Sequence, residues 1–380
     1  MAIFNTVYGG SWWGYKTFTI SWEEKSDMSS GWTYSDDAAW LTAGSTAFDD
    51  FFWYSWVRLS TAGVETATVS QSSPWTLDIT QLWTLTSGDN VMIKFPLLWI
   101  KMSKSWSVVT LSITNNPNAE WFQYYAHSVW TLSNPWTPKD AFYVWVYKGY
   151  VDNNVLKSWS WKTITRSLSQ SAFCTDATAN GSGYNIIWFY QRQFINCLYM
   201  MKYWNPNCQS VIWAWYTNWS SIANTWWTNG QTSATYWTSS ATVQAKLFWL
   251  EDYWGNGNER LWWVYTDGSK NLCTKLSWFN GAVSWWESTG STVWTTSGND
   301  ISSIVWNNKA LFWPNATVSN WSYNTYYCDG TTINASAIWT TCWHWINTWV
   351  AGVFRIALDV TNTSYNDSTI GTRLMYMQWL

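Results

Sequence analysis

Charged side chains are scarce in this 380-residue chain: Asp, Glu, Lys and Arg make up 11% of it, against roughly a quarter in ordinary globular domains. Ser, Thr and Asn take their place. The net charge of −3 offers no basic surface to a polyanion, so neither nucleic acid nor an anionic membrane is expected as a partner. No apolar run approaches the roughly 18 residues of a membrane helix, and membrane insertion is not expected. The stretch Met1 to Gly10 has no basic cluster ahead of an apolar core and does not read as a secretory signal. Histidine occurs twice, at His127 and His344, too few for a three-histidine iron site. The six cysteines, Cys174, Cys197, Cys208, Cys273, Cys328 and Cys342, include no C-x-x-C pair, which leaves a zinc ribbon unsupported. No nucleophile–base pairing, phosphate loop or paired carboxylates stand at a readable spacing. The expectation is a protein without catalysis, metal or cofactor.

Glycine is also short, at 20 residues, whereas tryptophan reaches 41. Core tryptophans belong among apolar residues at helix or strand spacing, since each buries on the order of 150–250 Å². Many here do not. Trp12-Trp13 lies between Ser11 and Gly14, Trp159 between Ser158 and Ser160, Trp219 between Asn218 and Ser220, and Trp226-Trp227 between Thr225 and Thr228. These are turn contexts, where a chain needs positive φ and no side chain. Pooled, Trp and Gly would give the glycine content of a Gly-rich fibre protein. Many Trp positions are therefore expected to be glycine in function, through a UGA codon written as Trp but read as Gly under an alternative code. The competing reading is a truly Trp-rich carbohydrate binder with stacking platforms.

Residues 1–63 are Ser/Thr/Asp-rich without a long periodic segment and suggest a loop-rich attachment segment. From Val64 short β-rich runs follow, and Val91, Ile93 and Phe95 share a strand face. Leu97 to Met102 and Val109 to Ile113 read as a hairpin with Trp106 at a glycine position. Residues 64–130 thus read as a β-sandwich-like domain, and 131–141 as a linker. Phe142 to Tyr150 reads as the first strand of a second domain, 142–360, with 361–380 as a C-terminal tail. One helix is convincing, Trp188 to Tyr203, with Phe189, Phe194, Cys197, Leu198 and Met201 near one face and Gln191, Arg192 and Asn196 away from it. Trp204 stands where a C′ glycine belongs. Long stretches of low complexity follow at 217–241, 277–300 and 315–348, unusual unless functional.

Within the second domain, Lys246 to Leu250 reads as a buried strand ending in Glu251-Asp252, followed by Tyr253-Trp254 and the Gly255-Asn256 turn. Leu261 to Tyr265 then leads into Asp267-Gly268. This order resembles the formylglycine-generating-enzyme-like branch of the C-type lectin fold, and Val353 to Val360 resembles its closing Gly-Phe-Arg strand. In that strand Gly352 stands one place too early. The resemblance covers about 142–360 and implies an α+β, β-rich fold with few helices: an N-terminal β-sandwich-like region and a C-terminal C-type-lectin-like domain. It assigns Glu251, Asp252, Trp254, Gly255 and Asn256 to a structural turn, in preference to Glu251, Asp252 and Glu259 binding calcium.

The branch also supplies ligand-binding tips of phage tail proteins, which implies a virion tail-tip or fibre protein, extracellular, attaching to a host cell. The expected partners are a host surface receptor, protein or glycan, together with other tail proteins. Fibre proteins commonly trimerise, and a homotrimer is expected here, although no heptad repeat supports it. Read with glycine at the suspect positions, 315–348 becomes a Tyr/Ser/Gly/Asn mixture, the vocabulary of paratopes. Tyr323, Asn324, Tyr326, Tyr327, Asn334 and Asn347 are the expected receptor contacts. Two alternatives remain: an oxidoreductase of the formylglycine-generating type, for which Cys328 and Cys342 are the only cysteine pair in a plausible region, and a bacterial surface adhesin.

Overall fold

The computed structural model of the chain describes residues 14–68, 71–73, 76–77, 89–128, 137–212, 222–226, 228–231, 233–238, 244–262, 264–274, 287–292, 297–305, 307–318, 325–336, 339–342, 352–360, 366 and 368–378. Strand accounts for 37% and helix for 14%, so the expected strand-rich class with few helices holds.

The run Thr-Phe-Thr-Ile-Ser-Trp-Glu has a period of two and forms the strand Thr17–Glu23. Its apolar residues Phe18, Ile20 and Trp22 are buried and stand opposite Ile113, Leu111 and Val109 of the antiparallel strand Val108–Thr114. On the other face the hydroxyls of Thr17, Thr19 and Ser21 meet those of Thr114, Ser112 and Thr110 at 2.8–2.9 Å. Both faces therefore favour one register, because a slip by one residue would break both sets. Thr33–Asp36 and Trp99–Ser105 complete a four-stranded antiparallel sheet. The strand Trp99–Ser105 turns into Val108–Thr114 at Trp106-Ser107, and Trp106 has φ 57° and is 96% exposed.

A six-stranded antiparallel sheet runs in the order Tyr184–Ile186, Leu374–Tyr376, Ala141–Trp145, Asn90–Pro96, Ser55–Leu59, Glu65–Thr68. Asn90–Pro96 is interior to it, which is why Met92 is buried together with Val91, Ile93 and Phe95. This sheet draws strands from several segments of the expected partition. Ser55–Leu59 comes from the segment read as loop-rich attachment, Asn90–Pro96 from the first domain, Ala141–Trp145 from the linker and second domain, and Leu374–Tyr376 from the supposed tail. Pairing is non-local, so a composition shift near 131–141 does not mark a break in the hydrogen-bonded layer. One apolar core runs from Phe18 to Met377.

A seven-stranded mixed sheet follows the order Pro314–Val318, Ser297–Ile304, Gly330–Ile333, Ile356–Val360, Trp339–Cys342, Asn258–Arg260, Ile370–Thr372, with Gly330–Ile333 parallel to Ile356–Val360 and Asn258–Arg260 parallel to Ile370–Thr372. Val264–Thr266, Asn271–Thr274 and Glu287–Thr292 form a separate three-stranded sheet. The helix Phe189–Tyr203 begins one residue after the expected start, and Gln191 Oε1 accepts from the Trp188 backbone N–H at 3.2 Å. It ends at Trp204 in the left-handed region. Its expected polar face is corrected: Gln191, Arg192 and Asn196 are as buried as the apolar face. They meet a buried polar centre on that side. Lys246 to Glu251 is likewise corrected from one strand to a hairpin, Lys246–Leu247 against Leu250–Glu251, turning at Phe248-Trp249.

Candidate functional site

After the hairpin, Asp252, Gly255, Asn256 and Gly257 all have positive φ, which winds 252–257 into an irregular turn. Polar side chains hold it. The Glu251 carboxylate accepts from the backbone N–H groups of Trp226 and Thr228, each at 3.0 Å, from the Thr228 hydroxyl at 2.7 Å and from the Gln244 amide at 3.2 Å. Asp252 accepts from Gln244 and, at 2.7 Å, from Asn256. Asn256 also bonds both backbone groups of Ala223, at 2.9 and 3.1 Å. Lys148 Nζ donates to the carbonyls of Gly255 and Gly257 at 2.6 Å. Trp254 is 5% exposed and packs edge-on against Tyr199 and Tyr253.

Beneath the turn lies Glu259, clasped by Arg192 at 3.1 Å and Arg373 at 3.0 Å. Arg373 uses its remaining donors on the carbonyls of Trp145, Val146, Glu251 and Asp252 at 2.7–3.1 Å. One planar guanidinium therefore joins the end of Ala141–Trp145, the hairpin and Asn258–Arg260, a task that suits its fixed fork of donors. The Arg192 guanidinium also lies over the Tyr253 ring, 3.4 Å from its centroid. Burial dominates the electrostatics. It raises Glu251 and Asp252 above the usual carboxylate range, with the Asp252 charge adding to the rise at Glu251. It pushes Lys148 down to about 8 and Lys246 to about 7. Glu251, Asp252 and Glu259 spend carboxylate oxygens on protein donors, and no group of three or more His, Cys, Asp or Glu among the described residues is placed to hold a metal ion.

Of the expected receptor contacts, Tyr326, Tyr327 and Asn334 lie among the described residues. Tyr327 is corrected to a core position: it is fully buried against Phe354, accepts from the Trp22 indole at 3.2 Å and donates to Glu24 at 2.8 Å. A phenol with an apolar body and a satisfied hydroxyl fits an interior as well as a paratope. Tyr326 is half-buried, and its N–H donates to the Ser26 carbonyl at 3.0 Å. Asn334 is exposed, but beyond the other end of Gly330–Ile333 from Tyr326. Tyr323, Asn324 and Asn347 lie outside the described residues.

Asn334 has a neighbour that the sequence marks only as a turn, Asp267-Gly268. Its carbonyl accepts from the Thr266 hydroxyl at 2.7 Å, and Ser336 N–H donates to the Asp267 carbonyl at 2.9 Å. The Asp267 carboxylate in turn accepts from Ser269 N–H, Asn271 N–H and the Asn271 amide at 2.8–2.9 Å. These bonds hold its pKa below the usual range against the opposing effect of partial burial. Gly268, Ser269, Asn334, Ala335 and Ser336 form an exposed polar ridge fixed from both loops. The Asp267-Gly268 turn signal could have marked it.

A second exposed feature is aromatic. The rings of Trp161 and Trp226 stack at 3.9 Å with 11° between planes, beside Trp159 and Tyr150, each with Lys162 Nζ within 5.7 Å of its centroid. Of the proposed reactive pair, Cys328 is buried and burial pushes its thiol upward; the Cys342 side chain lies outside those described. His127 is buried between Phe142 and Phe194, and burial lowers it to about 3.

The largest omission from the sequence reading is Arg373. Gly371-Thr372-Arg373 has the direct Gly-x-Arg spacing that Gly352 to Arg355 lacks, and a Cβ at Gly371 would come within 3.0 Å of Ile164 and 3.2 Å of the Thr165 carbonyl. Gly352 has a different reason to be glycine, since a Cβ there would overlap the Asp329 carboxylate and crowd the Cys208 sulfur. Among the described residues no helix is long and apolar enough to cross a membrane. Comparison with protein-family models and with curated proteins finds no match.

Proposed function

We propose that this chain is a virion tail-tip or fibre protein that attaches to a host cell by binding a surface receptor, without catalysis. The observation that carries the proposal is the pair of turns at 266–271 and 334–336, exposed at 268–269 and 334–336, locked to each other by hydrogen bonds and rich in Ser, Asn and Gly. Recognition loops gain affinity when a rigid scaffold fixes them before binding. The C-type-lectin-like architecture and tail-protein partners belong to the same proposal. They rest on the order of Glu251-Asp252, Trp254, Gly255-Asn256 and Gly371-x-Arg373 around one buried polar centre. The purified chain should bind host cells and reduce virus adsorption in competition. Ser269→Lys and Asn334→Lys together should weaken cell binding at least tenfold with an unchanged melting temperature. A chain that folds but neither binds cells nor competes ends this reading.

The Trp161 and Trp226 stack favours a second reading, a carbohydrate binder that offers indole faces to a sugar ring. Trp161→Ala should then abolish glycan binding. The first reading predicts no change in cell binding for that variant.

A further inference from the structure

Nineteen described residues other than glycine have positive φ, and seven of them are tryptophan, more than Asn and Asp combined. Asn and Asp tolerate this region through local hydrogen bonds, whereas a bulky L side chain there is strained. The seven are Trp53 at 43°, Trp106 at 57°, Trp121 at 66°, Trp161 at 66°, Trp204 at 57°, Trp226 at 147° and Trp249 at 68°.

Their places in the fold are those that glycine fills. Trp53 follows the helix Ala47–Phe52 in the left-handed conformation, with its N–H donating to the Asp49 carbonyl at 2.9 Å. Trp204 ends Phe189–Tyr203 in the same way, donating to Met200 at 3.0 Å. Both are the left-handed helix stop that normally carries glycine. Trp249 is the second residue of a two-residue hairpin turn with φ positive at both centres, where Asn-Gly and Gly-Gly prevail. Trp106 occupies the turn of the Trp99–Ser105 hairpin.

Trp249 is fully buried edge-on against Trp56 with Lys246 Nζ 4.4 Å from its ring centroid, so its place in the set rests on its backbone alone; most of the other indoles do little. Trp53, Trp106, Trp121 and Trp161 are 51–96% exposed, the reverse of what so large an apolar surface favours. The Trp204 ring lies only 3.3 Å from the Tyr34 ring centroid, inside the usual 4.5–7 Å spacing. Its indole N–H is buried with no hydrogen-bond partner among the described residues. Trp161 and Trp226 stack where Trp161 N–H donates to the carbonyl of Thr225, the residue before Trp226, at 2.5 Å.

Trp22 differs on each count. It sits inside a strand, is 2% exposed, stacks on Trp32 at 5.0 Å and donates its indole N–H to Tyr327. Trp159 also stays outside the set: it is absent from the positive-φ residues, and its indole donates to the Asp89 carbonyl at 3.3 Å.

We infer that the native polypeptide carries glycine at Trp53, Trp106, Trp121, Trp161, Trp204, Trp226 and Trp249, and tryptophan at Trp22. The aromatic platform then vanishes, and the polar ridge at 266–271 and 334–336 remains as the exposed recognition feature. The assignment does not depend on whether the chain binds a receptor.

Peptide mass spectrometry on the protein made in its native host tests this directly. Peptides spanning the seven positions should each be lighter by an indolylmethyl group for every one of these residues they contain, with UGA in the gene there and UGG at Trp22. Unshifted peptides at the seven positions overturn the inference. A recombinant pair gives an independent readout of the backbone argument. Trp106→Gly should raise the melting temperature and Trp22→Gly should lower it by several degrees; a fall in both would remove the conformational basis of the assignment.

Discussion

Single side chains in this protein take their character from what surrounds them more than from their type. His127 is the clearest case, a polar ring enclosed by Phe142 and Phe194 with Nε2 3.4 Å from the Phe95 carbonyl. Burial lowers its pKa from 6.5 to about 3, so the unfolded chain takes up the proton first as pH falls. Its contribution to stability is complete above pH 6.5 and is lost between there and about pH 3, on the order of 5 kcal/mol in all. Denaturant midpoints measured from pH 7 down to pH 4 should fall less steeply in His127→Phe than in the parent chain. Equal slopes would mean that the ring reaches solvent in the folded state. Tyr326 and Tyr327 make the same point side by side: adjacent and identical, one is half-buried and the other fully enclosed. Nothing in Asn324-Thr325-Tyr326-Tyr327-Cys328 separates them, because exposure depends on Phe354 and Trp22, far away in sequence.

At the level of elements, the polar centre decides how strands and turns meet. Glu259 stands between two guanidinium groups with both carboxylate oxygens engaged. Removing its charge leaves Arg192 and Arg373 buried and uncompensated, so Glu259→Gln should cost about 3 kcal/mol. Urea unfolding would measure it; a loss below about 1 kcal/mol would place the cluster in water. The Trp99–Ser105 hairpin and the long helix were legible locally, since alternation, apolar spacing and turn residues act over a few positions, whereas the Lys246–Leu247 hairpin read as one strand. The polar face of that helix was not. Gln191, Arg192 and Asn196 look solvent-facing at helical spacing, and only Glu259, Tyr253 and the Trp188 backbone explain their burial.

Across the whole molecule, two sheets draw strands from distant parts of the chain and both use its last strands. Ile370–Thr372 pairs with Asn258–Arg260, and Leu374–Tyr376 pairs with both Ala141–Trp145 and Tyr184–Ile186. A chain ending at Val360 should therefore fail to fold, although 361–380 reads as a tail in the sequence. Circular dichroism and a thermal melt would show it: a cooperative transition in the truncated chain would make these strands dispensable. Strands on either side of the expected boundary at 131–141 pair with each other. A linker-like composition describes the connection, whereas the hydrogen bonds between Asn90–Pro96 and Ala141–Trp145 span it.

By itself the sequence determined the strand-rich class, the Trp99–Ser105 hairpin, the stop of the long helix and the misplaced look of many tryptophans, because each is written in neighbouring residues through periodicity and backbone φ. Only the tertiary structure decided which strands pair, that Arg373 lies at the heart of the polar centre, that Tyr327 faces inward and that Asn334 stands beside Asp267. Those outcomes come from contacts between segments distant in the chain, and no local pattern specifies which distant partner will close them.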